Sequence, residues 1–196
     1  MLEASNISFG YGSRMLYRGF DLAVSPGERV ALAAPSGFGK STLCRILAGY
    51  EKPWSGEVFV DGSPLPARGA CPVQLVLQHP ELAVDPRMRM RDVLREAGEV
   101  PERIVSGLGI REKWKTRFPH ELSGGELQRF CIARALATRP RYLICDEVST
   151  MLDAVTQAHI WHVLLDYAAR ENAGMLLVSH TPALTARIAT REVALA

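Results

Sequence analysis

The sequence predicts an α/β fold with a mostly parallel sheet, a small antiparallel β segment and an inserted helical segment. Three observations carry this expectation. Short apolar runs alternate with helix-like stretches, the pattern of a parallel sheet covered on both faces. "GEVFVDGSPL" (56–65) reads as a hairpin turned at Asp61-Gly62. From about Pro86 to Pro119 the text is charged and helix-like. The 196 residues, 47% of them apolar, suffice for one domain, or one domain holding an inserted subdomain.

In chain order, "ERVALAA" (28–34) is a strand running straight into a glycine-rich loop, and "STLCRILAG" (41–49) is a helix stopped by Gly49. "VQLVLQ" (73–78) is a further strand. "RMRMRDVLREAG", "PERIVSGLG" and "REKWKTRF" supply the helical middle. "SGGELQRFCIARALAT" (123–138) has an amphipathic helix pattern. "RYLICDE" (141–147) is a buried strand ending in two acids, "AVTQAHIWHVLLDYAAR" (154–170) a long helix, and "GMLLVSH" (174–180) a strand ending in His180. "TPALTARIA" opens a last helix with Thr-Pro. Ligands of such sheets sit beyond the carboxyl ends of the strands. The loop at 34–42, Gln78, Asp146-Glu147 and His180 are therefore expected to converge.

Composition excludes several classes. A formal net charge of +2 gives no basic footprint for nucleic acid. No apolar run approaches the roughly 20 residues that span a bilayer, and "MLEASNISFGYG" lacks the layout of a signal peptide. A cytoplasmic protein, able to dock onto a membrane protein, is expected. Cys44, Cys71, Cys131 and Cys145 are widely spaced, which favours reduced, buried thiols over zinc or disulfides.

"APSGFGKST" (34–42) has the spacing of a phosphate-binding loop, but Ala34 stands where the first glycine is usual. Such a loop aims backbone N–H groups and a helix N-terminus at an anion. Gly37 and Gly39 permit close approach, Lys40 adds charge at the β/γ-phosphates, and Ser41 offers a hydroxyl to Mg²⁺. Ala34 matters only if residue 34 needs positive φ. Pro35 pushes it into the extended region instead, so the loop is expected to be intact. A chance glycine-rich turn is the plain alternative. A dinucleotide fingerprint fits less well, because the third glycine of G-x-G-x-x-G is missing.

"LICDE" places Asp146 where a carboxylate supports Mg²⁺, with Glu147 beside it to orient or deprotonate a water. An exposed acidic turn is the alternative. In "LSGGELQR" (122–129), Ser123 and Glu126 form a capping box. Gly124 and Gly125 expose the first N–H groups of that helix. Paired glycines are a costly way to start a helix, so an anionic ligand explains them better than capping alone.

These stretches together resemble the ATP-binding subunits of ABC transporters over nearly the whole chain. The resemblance implies a P-loop NTPase (RecA-like) core at roughly 1–80 and 140–196 and a helical subdomain at roughly 84–139. It implies that Tyr11 stacks on adenine. Ser36, Gly37, Phe38, Gly39, Lys40, Ser41 and Thr42 would hold the phosphates, with Ser41, Gln78 and Asp146 around Mg²⁺. Glu147 would be the general base, with His180 on the γ-phosphate. Ser123, Gly124 and Gly125 would reach ATP held by a second ATPase subunit, identical or sister, and Asp153 of "MLD" (151–153) would lie at that interface. ATP and Mg²⁺ are the implied cofactors. Membrane-spanning permease subunits are the implied partners, with a substrate-binding protein engaged indirectly and the ATPase peripheral on the inner face of the membrane.

Val148 and Met151 depart from the family pattern, at a usual proline and a usual small residue. The sequence runs 16 residues past His180, so the regulatory tail of some members is not expected. "LQHPELAVDPRMRMRDVL" and "FPHELSGGELQRFCIARAL" are similar to importers of the oligopeptide, dipeptide and nickel group, which implies uptake of peptides, nickel or a metal chelate. A non-transport ATPase of a soluble complex is the alternative from another class. Such chains usually carry a second copy, a coiled coil or a basic arm, none of which is found here. His159 and His162, three apart with no third ligand, are expected to pack or face solvent. The arginines and lysines between 87 and 117 are expected to form a solvated face or a permease-docking face.

Overall fold

Two sheets divide the strands of the computed structural model, which describes residues 1–150 and 152–195. Leu2–Tyr11 (β1) and Arg14–Val24 (β2) pair antiparallel around a turn at Gly12, whose φ is +56°. Arg29–Ala33 (β3) leads into Lys40–Leu47 (α1). Ser55–Val60 (β4) and Ser63–Pro64 (β5) form the hairpin at Asp61 and Gly62, both with positive φ. Next come Val73–Val76 (β6), Met90–Arg95 (α2), Glu102–Gly107 (α3), Glu112–Lys115 (α4) and Gly124–Ala137 (α5). Tyr142–Asp146 (β7), Ala154–Glu171 (α6), Gly174–Val178 (β8), Pro182–Ile188 (α7) and Arg191–Ala194 (β9) complete the order.

The antiparallel sheet has the order β2-β1-β4-β5 and the second sheet the order β6-β7-β8-β3-β9. All pairs in the second sheet are parallel. β7 and β8 are buried at every residue, as expected of strands covered on both faces. One core cluster gathers β1, β2, β4, α1 and one face of the parallel sheet, with Leu43, Leu47 and Ile144 at its centre. The other packs α5 and α6 with the short helices against the opposite face, around Phe130, Leu136 and Leu164.

Gly49 ends α1 with φ +77°. Its N–H donates to Ile46 O at 3.0 Å and the next N–H, of Tyr50, to Arg45 O at 2.8 Å, which satisfies the last carbonyls of the helix. Asp61 of the hairpin turn accepts from Arg141 at 2.6 Å, which ties that turn to the start of β7.

α5 departs from the amphipathic expectation. Leu127, Gln128, Phe130, Cys131, Ile132, Ala133, Ala135 and Leu136 are all buried, so it has no broad solvent face. It lies between the parallel sheet and the short helices and is covered from both sides. Part of the basic middle segment pairs within itself: Arg87 with Asp85, Arg95 with Asp92 and Lys115 with Glu112. Arg111 lies 5.2 Å over the buried Trp114 ring. His159 Nε2 meets the Gly107 carbonyl at the end of α3. Cys44, Cys131 and Cys145 are buried free thiols, and burial pushes Cys131 up to about 11.

Candidate functional site

β3, β6, β7 and β8 end on the same side of the parallel sheet and deliver their following residues to one place. After β3, the loop turns at Gly37 and Gly39, with φ of +81° and +89°. A side chain on Gly39 would run into Tyr17 and Leu16 as well as the forbidden φ, so only glycine fits there. Ala34 lies one residue beyond the strand and does not take a positive φ. Its methyl group packs against the neighbouring core, and its carbonyl accepts from Lys40 Nζ at 2.7 Å. Lys40 Nζ also donates to Pro35 O at 3.1 Å, and the residue is 6% exposed. The lysine thus braces the loop that carries it.

Gln78, Glu147 and His180 meet. Gln78 Nε2 donates to Glu147 Oε2 at 2.9 Å, and His180 Nε2 lies 2.7 Å from Glu147 Oε1. Glu147 itself takes φ +50°, a left-handed backbone that is uncommon outside glycine. Its N–H donates to Val178 O at 3.0 Å, and its carbonyl accepts from Thr150 N and Oγ1 at 3.3 and 3.1 Å. Those bonds hold the left-handed turn that carries the carboxylate.

Asp146 stays behind at the strand end, 4% exposed. Burial holds its carboxyl above the ordinary range, and the Ser41 hydroxyl offsets part of that effect. Among the described residues its Oδ1 has no hydrogen-bond partner. A buried, unpartnered carboxylate oxygen next to a serine hydroxyl fits a hard cation with oxygen ligands.

A cavity of about 400 Å³ lies in front of this group, lined by Tyr11, Ser36, Lys40, Thr42, Glu147 and His180 among others. Tyr11 is half exposed at its rim, its hydroxyl 3.5 Å from Thr42 Oγ1 and its ring edge-on to Phe9. Phe38 is 47% exposed at the tip of the loop. Sequence reasoning misses Arg14 and Tyr17 of β2. Arg14 Nη2 donates to Gly37 O at 2.8 Å, and the buried Tyr17 hydroxyl donates to Gly39 O. It also misses the buried Gln128, whose Nε2 donates to Leu77 O at 3.1 Å, directly before Gln78. Ser149 Oγ accepts from both Trp161 Nε1 and Gln157 Nε2 at 3.0 Å and fixes the turn after Glu147.

Ser123, Gly124 and Gly125 do not line this cavity. Ser123 caps α5: its Oγ accepts from Glu126 N at 3.3 Å while Glu126 Oε2 accepts from Ser123 N at 2.9 Å. The two glycines differ. A Cβ on Gly125 would come 2.9 Å from Leu152, whereas one on Gly124 would meet nothing within 4 Å. Asp153 caps α6, accepting from Val155 and Thr156 N–H, and Val155 beside it is 80% exposed. Val148 is buried, and Met151 lies outside the described residues.

The family described as "ABC transporter" matches residues 17–150. A nickel import system ATP-binding protein NikE of Staphylococcus aureus is 29% identical across all of this chain and 86% of its own length. A nickel import ATP-binding protein NikE of Rhodospirillum rubrum is 36% identical over 89% of this chain and 70% of its own. Among solved structures, an ATP-binding subunit of an ABC transporter superposes with a TM-score of 0.84 at 26% identity, covering 99% of this chain and 85% of that one. A dimeric ATP-binding cassette in a post-hydrolysis state, bound to ADP and Pi, also reaches 0.84, at 23% identity over 100% of this chain and 94% of that chain.

Proposed function

The chain belongs to the ABC transporter family as an ATP-binding, ATP-hydrolysing subunit, and we propose that its hydrolytic centre is the Gln78–Glu147–His180 group facing the phosphate loop. The observation that carries this is the Glu147 carboxylate, held by Gln78 at 2.9 Å and His180 at 2.7 Å at the mouth of the loop.

In this reading Tyr11 stacks on adenine, and the loop from Ser36 to Thr42 with the start of α1 receives the phosphates. Lys40 places its ammonium by the β- and γ-phosphates. Glu147 accepts a proton from the attacking water, and His180 contacts the γ-phosphate. Mg²⁺, when bound, neutralises charge on the β- and γ-phosphate oxygens. Ser41, Asp146 through its Oδ1, and Gln78 would hold it; Gln78 gives its nitrogen to Glu147, which leaves its amide oxygen as the group that would ligate.

Ser123, Gly124 and Gly125 serve a second site. The open space in front of Gly124 suits a phosphate carried by a second ATPase subunit. Two such subunits, head to tail, enclose two ATP molecules, with Asp153 and the exposed Val155 at their contact. ATP binding then favours the closed pair and hydrolysis the open one. The chain acts as one cassette, with the segment at roughly 84–139 as a helical subdomain.

The permease docks, in this reading, in the groove of about 230 Å³ between the parallel sheet and α5. Tyr50 and Leu82, both about 70% exposed, stand on its rim with Arg45 and Arg134. Gln74 to Leu77 line its floor and run directly into Gln78, so a docked segment lies next to the hydrolytic group. The cargo class is peptides, nickel or a metal chelate taken up from a substrate-binding protein. The likeness to the nickel-import ATPases supports that class. None of the described helices is long and apolar enough to cross a membrane, which suits a peripheral position on the inner face. Co-purification from gently solubilised native membranes tests this. A multi-span permease captured with the chain, and lost with Leu82→Glu, supports it. Capture of soluble proteins or nucleic acid alone contradicts it.

A further inference from the structure

Arg14 and Tyr17 are three residues apart on β2, yet both reach the phosphate loop. On an unbroken strand they would face opposite sides. The pairing explains the exception. Tyr11 pairs with Arg14 and Gly10 with Met15, but Phe9 pairs with Tyr17, so Leu16 is an extra residue on β2. This bulge re-aims the strand and puts Tyr17 on the same side as Arg14. Arg14 donates to Gly37 O at 2.8 Å and Tyr17 to Gly39 O.

We infer that Arg14 and Tyr17 are positioning residues for nucleotide binding: by holding the Gly37 and Gly39 carbonyls on the β2 side, they keep the loop presenting donors to the phosphates. A carbonyl oxygen turned into the site would repel a phosphate. A trans peptide points its N–H opposite its C=O, so fixing the Gly39 carbonyl also fixes the Lys40 N–H. The Gly39 carbonyl accepts from Leu43 N at 2.9 Å as well, which ties Tyr17 to the first turn of α1. Tyr17 is 5% exposed, and burial keeps its hydroxyl protonated well above the ordinary tyrosine range, so it stays a donor. The antiparallel sheet thus contributes the adenine platform at Tyr11 and the bracing of the loop, from paired strands.

The inference rests on the ATP-binding reading above, and the test separates the two. ATP titration and steady-state hydrolysis are compared for the full-length wild type, Tyr17→Phe and Arg14→Gln. Tyr17→Phe removes one hydroxyl from a buried ring, and Arg14→Gln alters an exposed side chain that leaves the core untouched. Loss of one such bond is worth about three- to tenfold, so Kd and KM for ATP should rise by that factor with kcat retained. A purely structural role would lower the active fraction at unchanged KM. Wild-type Kd and KM in both variants would overturn the inference. If Tyr17→Phe fails to fold, the KM of Arg14→Gln decides alone. A wild-type chain that neither binds nor hydrolyses ATP would overturn the ATP-binding reading instead.

Discussion

Gln78 and Glu147 are bonded across the site, Nε2 to Oε2 at 2.9 Å, while His180 takes the other carboxylate oxygen at 2.7 Å. Both oxygens of Glu147 are thus engaged by side chains that follow different strands. Each carboxylate oxygen keeps a further lone pair, so in the proposed reading an incoming water joins these two partners at Glu147.

That contact predicts a pH effect. Gln78→Glu replaces a donor by a second carboxylate at hydrogen-bonding distance. Like charges disfavour joint ionisation, so the pair in this variant holds a proton more tightly. Glu147 must be ionised to act as a base, so the acid limb of the pH–rate profile should move to higher pH. An unshifted limb would show that residue 78 does not face the working carboxylate.

Asp146 makes a prediction of the opposite kind from most site residues. Burial holds its carboxyl above the ordinary range, so the folded chain binds that proton more tightly than the unfolded chain does. Without metal, this contribution to stability is complete below the unfolded pKa and is lost as pH rises through the raised one. Asp146→Asn removes the cost of ionised burial. At pH 7 the metal-free variant should melt higher than wild type, by about 2–4 °C for each kcal/mol relieved, and lose the added stabilisation by Mg²⁺ with ATP. A lower melting temperature at pH 7 would refute the account of Asp146.

Gln128 links α5 to Leu77, the residue before Gln78. Its own Oε1 is buried and unpartnered among the described residues. Gln128→Met takes a donor from Leu77 and also removes that orphan oxygen. The two effects oppose, so stability should change by no more than about 1 kcal/mol. Turnover should fall on the order of tenfold, because Gln78 loses its support. Denaturant midpoints and hydrolysis rates on the same samples check the split.

Ser123 has a capping role within the chain and a proposed one towards a second subunit, and two substitutions separate them. Ser123→Ala loses the cap and should cost about 1 kcal/mol. Ser123→Asp keeps the cap and the stability, but places negative charge where the partner's phosphate is expected. It should therefore lose turnover while the melting curve stays in place. Full turnover in Ser123→Asp would contradict the proposed role.

Legibility followed the backbone. The phosphate loop, the Ser123 cap, the Asp61-Gly62 turn and the end of α1 at Gly49 are set by residues with narrow conformational preferences, and these could be read directly. Pro35 was enough to clear Ala34. β1 and β2 were not legible from alternation, because register shifts near Ala4, Ile7 and Phe9 break the period of two. The same irregularity hid Arg14 and Tyr17. α5 was misread as amphipathic because its two covered faces come from elements distant in sequence. The left-handed backbone of Glu147 has no local signature, since neither Asp146 nor Val148 demands it; the bond it donates to Val178 and the one it accepts from Thr150 hold it.

The most direct test is phosphate release from Mg-ATP by the purified chain and by Glu147→Gln, with ATP affinity measured alongside. The account predicts that wild type turns over and that Glu147→Gln binds ATP as tightly but hydrolyses it about a hundredfold more slowly, or slower still. Turnover unchanged in Glu147→Gln would contradict the assignment of Glu147 as the base and, with it, the proposed hydrolytic centre.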